Sequence, residues 1–122
     1  MGKDSGEGGQ MKMKKSPTQC TLDELRKDCQ AVQVVEHWQS FFGRKGGVRK
    51  DLFGFIDIIA LRGEETIAVQ ATSWTSVSAR VKKIAESEHV AAVRKAGWKI
   101  LVYGWRKNEK TNRYEARIVD LS

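Results

Sequence analysis

The chain has 122 residues, 40% of them hydrophobic and four of them Trp, which suffices for one compact core and argues against a disordered polymer. Lys and Arg number 22 against 15 acids, a net charge of +7, and an excess of this sign favours phosphate-bearing partners. No apolar run reaches the length of a membrane span and the N-terminus lacks the layout of a signal peptide, so a cytoplasmic or nuclear protein with no membrane partner is expected.

Residues 1–18, "MGKDSGEGGQMKMKKSPT", are rich in Gly, Ser and Lys and offer almost nothing to bury. They read as a disordered tail or leader, with Met11 as a second candidate start, and residues 19–122 as a single domain. Cys20 and Cys29 are too few for a disulfide framework, and His37 and His89 stand at no metal-binding spacing. Two reduced thiols are expected.

"TLDE" has the form of a capping box, with Thr21 as N-cap and Glu24 three residues on. Leu22, Leu25, Cys29, Val32 and Glu36 follow at helical spacing, which predicts a helix from Thr21 to about Ser40–Gly43. "GRKGGVRK" then reads as a basic loop. Leu52–Leu61 and Thr66–Thr72 read as two strands, and "SVSARVKKIAESEHVAAVRKAG" as one helix or two, the second capped by Ser87 and stopped at Gly97. "WKILVYGW" and "RYEARIVDL" read as two more strands. The expected order is α-β-β-α-(α)-β-β. Trp38, Trp98 and Trp105 are expected in the core, whereas Trp74 sits in the loop after the second strand, free to stack on a base or to cap the core.

The first hairpin poses the chemical question. Strand alternation puts Phe53, Phe55, Asp57, Ile59 and Leu61 on one face, and Thr66, Ala68, Gln70 and Thr72 on one face of the next strand. A two-residue Gly63-Glu64 turn of type II′, or a four-residue loop, sets Asp57 opposite Gln70, with Cβ atoms within about 5.5 Å, whereas a three-residue loop would set it opposite Ala71. A buried Asp among apolar groups needs compensation. One form is a hydrogen bond to Gln70 or an Arg partner. The other is a divalent cation held by Asp57, Gln70, the Ala71 carbonyl and Glu36.

A capped helix with an inward Glu, an Asp in one strand, and a short hairpin to a strand ending in E/Q-x-K is the layout that Glu36, Asp57, Gln70 and the elements after them follow over about residues 21–105. In this the chain resembles the PD-(D/E)xK nuclease superfamily, especially its small Holliday-junction-resolvase-like and phage-type members. The resemblance implies an α/β, restriction-endonuclease-like core, a central mixed sheet flanked by helices. It implies an Mg²⁺- or Mn²⁺-dependent endonuclease acting on DNA, with branched DNA among its candidate substrates and with Glu36, Asp57, Gln70 and Ala71 around the metal. Cutting a junction takes two active sites, hence a homodimer, and DNA work would place the protein at the nucleoid or in the nucleus. Thr72 stands where the family has its catalytic Lys. Lys83, or else Lys82, from the following helix is the expected substitute, with Arg80 beside it and Asp57 and Gln70 completing the catalytic set.

Arg44, Lys45, Arg49 and Lys50 lie just before the Asp57 strand and are expected, with Arg80 and Trp74, to contact DNA. Asp51 could pair with Arg49 or serve as an outer ligand. Two other readings stand beside the nuclease: a catalytically degraded DNA-binding domain on the same fold, which Gln70 and Thr72 favour, and a protein-interaction module, which an exposed apolar patch would favour.

Overall fold

The computed structural model describes residues 10, 11 and 13–122. In chain order the elements are strand β1 (Gln10–Met11), helix α1 (Pro17–Leu25), strands β2 (Ala31–Val34), β3 (His37–Ser40), β4 (Gly47–Lys50), β5 (Ile58–Arg62) and β6 (Glu65–Ser73), helices α2 (Val77–Ala85) and α3 (Val90–Lys95), and strands β7 (Lys99–Asn108) and β8 (Tyr114–Asp120). One turn of 3₁₀ helix, Trp74–Ser76, joins β6 to α2. The main sheet runs β8–β7–β6–β5–β2, with β1 against the C-terminal end of β7. Strands β6 and β7 are parallel and the other pairs antiparallel, so the sheet is mixed. A separate two-stranded sheet is made by β3 and β4.

Helices cover both faces of the main sheet. Cys20, Leu22 and Leu25 of α1 pack with Ile58, Ile67 and Val69. Val77 and Ile84 of α2 and Val93 of α3 pack with Ala68, Ile100 and Val102 on the other side. Alternation along β6 therefore puts Gln70 and Thr72, which follow Ala68 at intervals of two, on the α2 face. Gly104 on β7 stands beside Thr72. A β-carbon there would run into Val77, so the missing side chain is what lets α2 lie directly on the sheet.

The first helix differs from expectation. Its N-cap is Ser16, whose Oγ accepts from the Gln19 amide at 3.1 Å, with Pro17 at the first helical position. Residues 13–18 are thus not tail: Met13 packs against the core and Pro17 opens α1. The rest of the expected tail, residues 1–9 and 12, lies outside the described residues. Thr21 sits inside the helix, where its hydroxyl donates to the Pro17 carbonyl at 2.8 Å and accepts from Trp105 Nε1 at 2.9 Å. The helix stops at Leu25 rather than near Ser40. Three valines within residues 32–35 fit a pleated strand better than a helix, and β2 pairs with β5 along Val32↔Ala60 and Val34↔Ile58. Glu36 is therefore no helix residue; it lies in the short link between β2 and β3.

The expected strand over Leu52–Leu61 is half turn. Leu52 and Ile56 form an isolated bridge around a tight turn in which Phe53 takes φ 55° and Gly54 φ 83°. Only Ile58–Arg62 is strand. Phe53 and Phe55 do not share a face with Asp57 on a strand: Phe53 is exposed and Phe55 is buried. The register beyond agrees with expectation. Arg62 pairs with Glu65 and Ile58 with Val69, so Asp57 comes opposite Gln70. Gly63 takes φ 59° while Glu64 stays at negative φ, the signs of a type II′ turn.

The long helical stretch is two helices, with Ser87 Oγ accepting from the His89 amide at 3.1 Å between them and Gly97 ending the second at φ 86°. Trp105 is buried and Trp98 half-buried, but Trp38 is 58% exposed. It lies on the small β3–β4 sheet, away from both cores, because residues 37–40 are strand and not helix.

Candidate metal centre

Asp57 is held by its backbone before its side chain is considered. Its N–H donates to the Val69 carbonyl at 2.9 Å, and its carbonyl accepts from Val35 at 2.8 Å and Glu36 at 3.3 Å. One residue thereby ties β6 to the link after β2, and Glu36 is brought alongside although it does not come from a helix. The turn at Phe53 folds Asp51 back towards the same point. Left-handed φ is costly for an aromatic residue, and here it accompanies the convergence of Glu36, Asp51 and Asp57, whose carboxylate oxygens lie within 4.8 Å of one another. These three carboxylates form a group able to hold a metal ion.

Asp57 is 5% exposed and Gln70 2% exposed. Gln70 Nε2 donates to Asp57 Oδ2 at 2.6 Å, and the Ala71 amide donates to the same oxygen at 2.9 Å. The Ala71 carbonyl leaves β6 on the same side as its N–H, so it too faces Asp57. Burial pushes the Asp57 carboxyl up from 3.8 to about 7; the Ala71 amide opposes the rise, the Asp51 carboxylate adds to it, and the Gln70 amide opposes it. The remaining Gln70 atom, Oε1, is buried and has no hydrogen-bond partner. An unpaired buried oxygen costs about 1–3 kcal/mol. The three carboxylates are hard oxygen donors of the kind that Mg²⁺ and Mn²⁺ take, so the residues present fit such an ion; Gln70 meets Asp57 through its amide nitrogen, and its oxygen joins the donors once the amide is turned over.

Two cations edge the group. Lys83 Nζ lies 3.6 Å from Asp51 Oδ2, and an Arg49 guanidinium nitrogen 3.7 Å from Glu36 Oε2. Asp51 thus pairs with Lys83 and not with Arg49. Helical geometry separates the three candidates on α2: Arg80 and Lys83 lie on one flank of the buried Val77–Val81–Ile84 stripe and Lys82 on the other. Thr72 is buried on the Gln70 face and brings only a hydroxyl.

The expected DNA-contacting residues divide between two places. Arg44 and Lys45 occupy the turn between β3 and β4, and Arg49 and Lys50 stand on β4, so the basic segment is a hairpin rather than a loop. Trp74 is half-buried in the 3₁₀ turn, with the Arg106 guanidinium 3.8 Å above its ring, so one stacking face is already covered. Among the candidate ligands Asp51 has the weakest sequence signal. It lies six residues before Asp57, and "DLFGF" contains only a Gly to suggest the turn that reunites them. No protein-family model, curated protein or solved structure matches the chain. Among the described residues no helix is long and apolar enough to cross a membrane.

Proposed function

We propose that the chain is a divalent-metal-dependent endonuclease of PD-(D/E)xK type, hydrolysing phosphodiester bonds of DNA. The observation that carries the reading is the convergence of Glu36, Asp51 and buried Asp57, whose carboxylate oxygens lie within 4.8 Å of one another. Glu36, Asp51, Asp57 and Gln70 would hold Mg²⁺ or Mn²⁺, with the Ala71 carbonyl on the same side. A bound ion of this kind lowers the pKa of water and offsets charge on the scissile phosphate. Lys83 supplies, from α2, the positive charge that Thr72 does not supply from β6. It keeps about half its side chain exposed, so it can turn towards a phosphate while anchored near Asp51. Arg49 plays a similar bordering role at Glu36.

The test is incubation of the protein with plasmid and with branched DNA in Mg²⁺, Mn²⁺ or EDTA, alongside calorimetric titration with Mn²⁺. Metal-dependent cuts, lost in EDTA and lost with Asp57→Ala, are expected. A degraded binding domain is the second reading, favoured by the buried Thr72 at the Lys position; DNA binding with neither cleavage nor Mn²⁺ uptake would establish it.

A further inference from the structure

The β3–β4 hairpin stands outside both hydrophobic cores, and its eight strand residues are all exposed but Gly47, which is half-buried. Yet Trp38 is 58% exposed, Phe41 44% and Phe42 103%, the largest cluster of bare aromatic surface among the described residues. Two of these rings, those of Trp38 and Phe41, are seated on the hairpin. The Trp38 indole lies over Gly47, where a β-carbon would come within 2.8 Å of it, and the Phe41 ring lies 3.7 Å from a β-carbon built on Gly46. Two glycines thus serve as flat seats for two aromatic rings whose surfaces stay open to solvent. A platform ordered in advance loses little entropy on binding.

The same hairpin carries Arg44, Lys45, Arg49 and Lys50, and no acidic residue from His37 to Lys50. Arg49 is the direct cross-strand neighbour of Trp38. Beside this pair a cleft of about 480 Å³ opens, walled by His37, Trp38, Arg49 and Glu36 on one side and by the N-cap Ser16 and Thr18 at the start of α1 on the other. Glu36 belongs also to the acidic group. The cleft therefore runs from an aromatic platform to the edge of the candidate metal centre.

We infer that the β3–β4 hairpin is a stacking arm for unpaired bases of a DNA strand, with Trp38 as the platform and Phe42 as the tip. Cations on a surface meant for an apolar protein partner would need acids opposite them or would be costly to bury; a polynucleotide satisfies both features at once, offering ring faces to the aromatics and phosphates to the cations. Bases inside an intact duplex have no free face, so the preferred substrate is single-stranded, forked or branched. This rests on the proposed action on DNA, but not on catalysis.

The test measures binding in EDTA, by fluorescence anisotropy, to a single-stranded oligodeoxynucleotide of about 16 nucleotides and to its duplex. Trp38→Ala should weaken single-strand binding by about 5- to 150-fold and leave duplex binding nearly unchanged, while Trp38→Phe restores most of the loss. Phe42→Ala should act in the same direction. Both side chains are exposed, so the variants should melt with the parent. Equal losses on both DNAs, no loss, or conversion of a dimer to a monomer by Trp38→Ala would overturn the inference, the last by making the hairpin a self-association surface. A parent that binds single strands through Trp38 yet never cuts removes the nuclease and keeps the arm. A parent that cuts while Trp38→Ala shows no single-strand defect removes the arm and keeps the nuclease.

Discussion

Asp57 and Trp38 are each placed against the ordinary preference of their residue type, in opposite senses. The acid is buried at the end of the sheet, and the largest apolar side chain in the repertoire is left in solvent on a hairpin. Around Asp57 the constraints are long-range: β6 holds its carboxylate, the link after β2 holds its backbone carbonyl, and Lys83 of α2 holds the neighbouring Asp51. Around Trp38 the constraints are local, a cross-strand Arg and a glycine in the opposite strand. A site that must hold carboxylates at fixed separations against their repulsion is tied to the main sheet, through the bonds of Asp57 to β6. A surface that must meet a variable, flexible strand is built where little else depends on it.

If that contrast is sound, damage to the first region should be severe and damage to the second selective. Asp57→Ala should remove metal-dependent cleavage and Mn²⁺ binding together, read by plasmid nicking and calorimetry. Lys83→Ala should lower cleavage by about 100-fold or more, as for a positioned catalytic group, with binding largely retained. Lys82→Ala, on the other flank of α2, should have a much smaller effect. Equal effects of the two lysines would deny Lys83 its special place.

The burial of Asp57 makes a pH prediction. In metal-free protein the folded state holds this proton up to about pH 7, whereas an ordinary Asp releases it near 3.8. Between these values the native state binds more protons than the unfolded one. This contribution to stability is therefore full below about pH 4 and is lost as pH rises through about 7. Its size is at most about 4 kcal/mol. Chemical denaturation in EDTA at several pH values should show the decline, and Asp57→Asn should flatten it. Metal binding competes with the same proton, so Mn²⁺ affinity should rise with pH over this range. Gly104→Ala should push α2 off the sheet and cost about 1–3 kcal/mol by overpacking, with cleavage falling as Lys83 shifts; an unchanged melting temperature would refute the close approach. The smallest effect belongs to the hairpin cations. Neutralising Arg44, Lys45 and Lys50 should leave folding intact and reduce the log–log salt slope of duplex binding by about 0.9 for each DNA phosphate that no longer meets a cation.

Much of the main sheet was legible in the residues. The turn at Gly63-Glu64 and the alternation on either side set the β5–β6 register, and with it the meeting of Asp57 and Gln70, because hairpin pairing is governed by a few neighbouring dihedrals. The helices after Ser76 and the last two strands announced themselves by periodicity. The region from Thr21 to Asp57 did not. Its helical stripe through Val32 and Glu36 was a coincidence of spacing, while "SPTQ" carried the true start of α1 beside the more conspicuous "TLDE".

The sequence by itself determined which donors were available: a Glu, two Asp, a Gln and a basic helix, each visible as a residue type. Tertiary structure alone decided that Asp51 and not only Asp57 joins Glu36, that Lys83 and not Lys82 reaches the acids, and that Trp38 faces solvent. The physical reason is the range of the interactions. Turn and strand periodicity are written in neighbours a few positions apart. The convergence of carboxylates depends on a strand edge, a left-handed turn at Phe53 and a helix seated on Gly104, and no local pattern records all three.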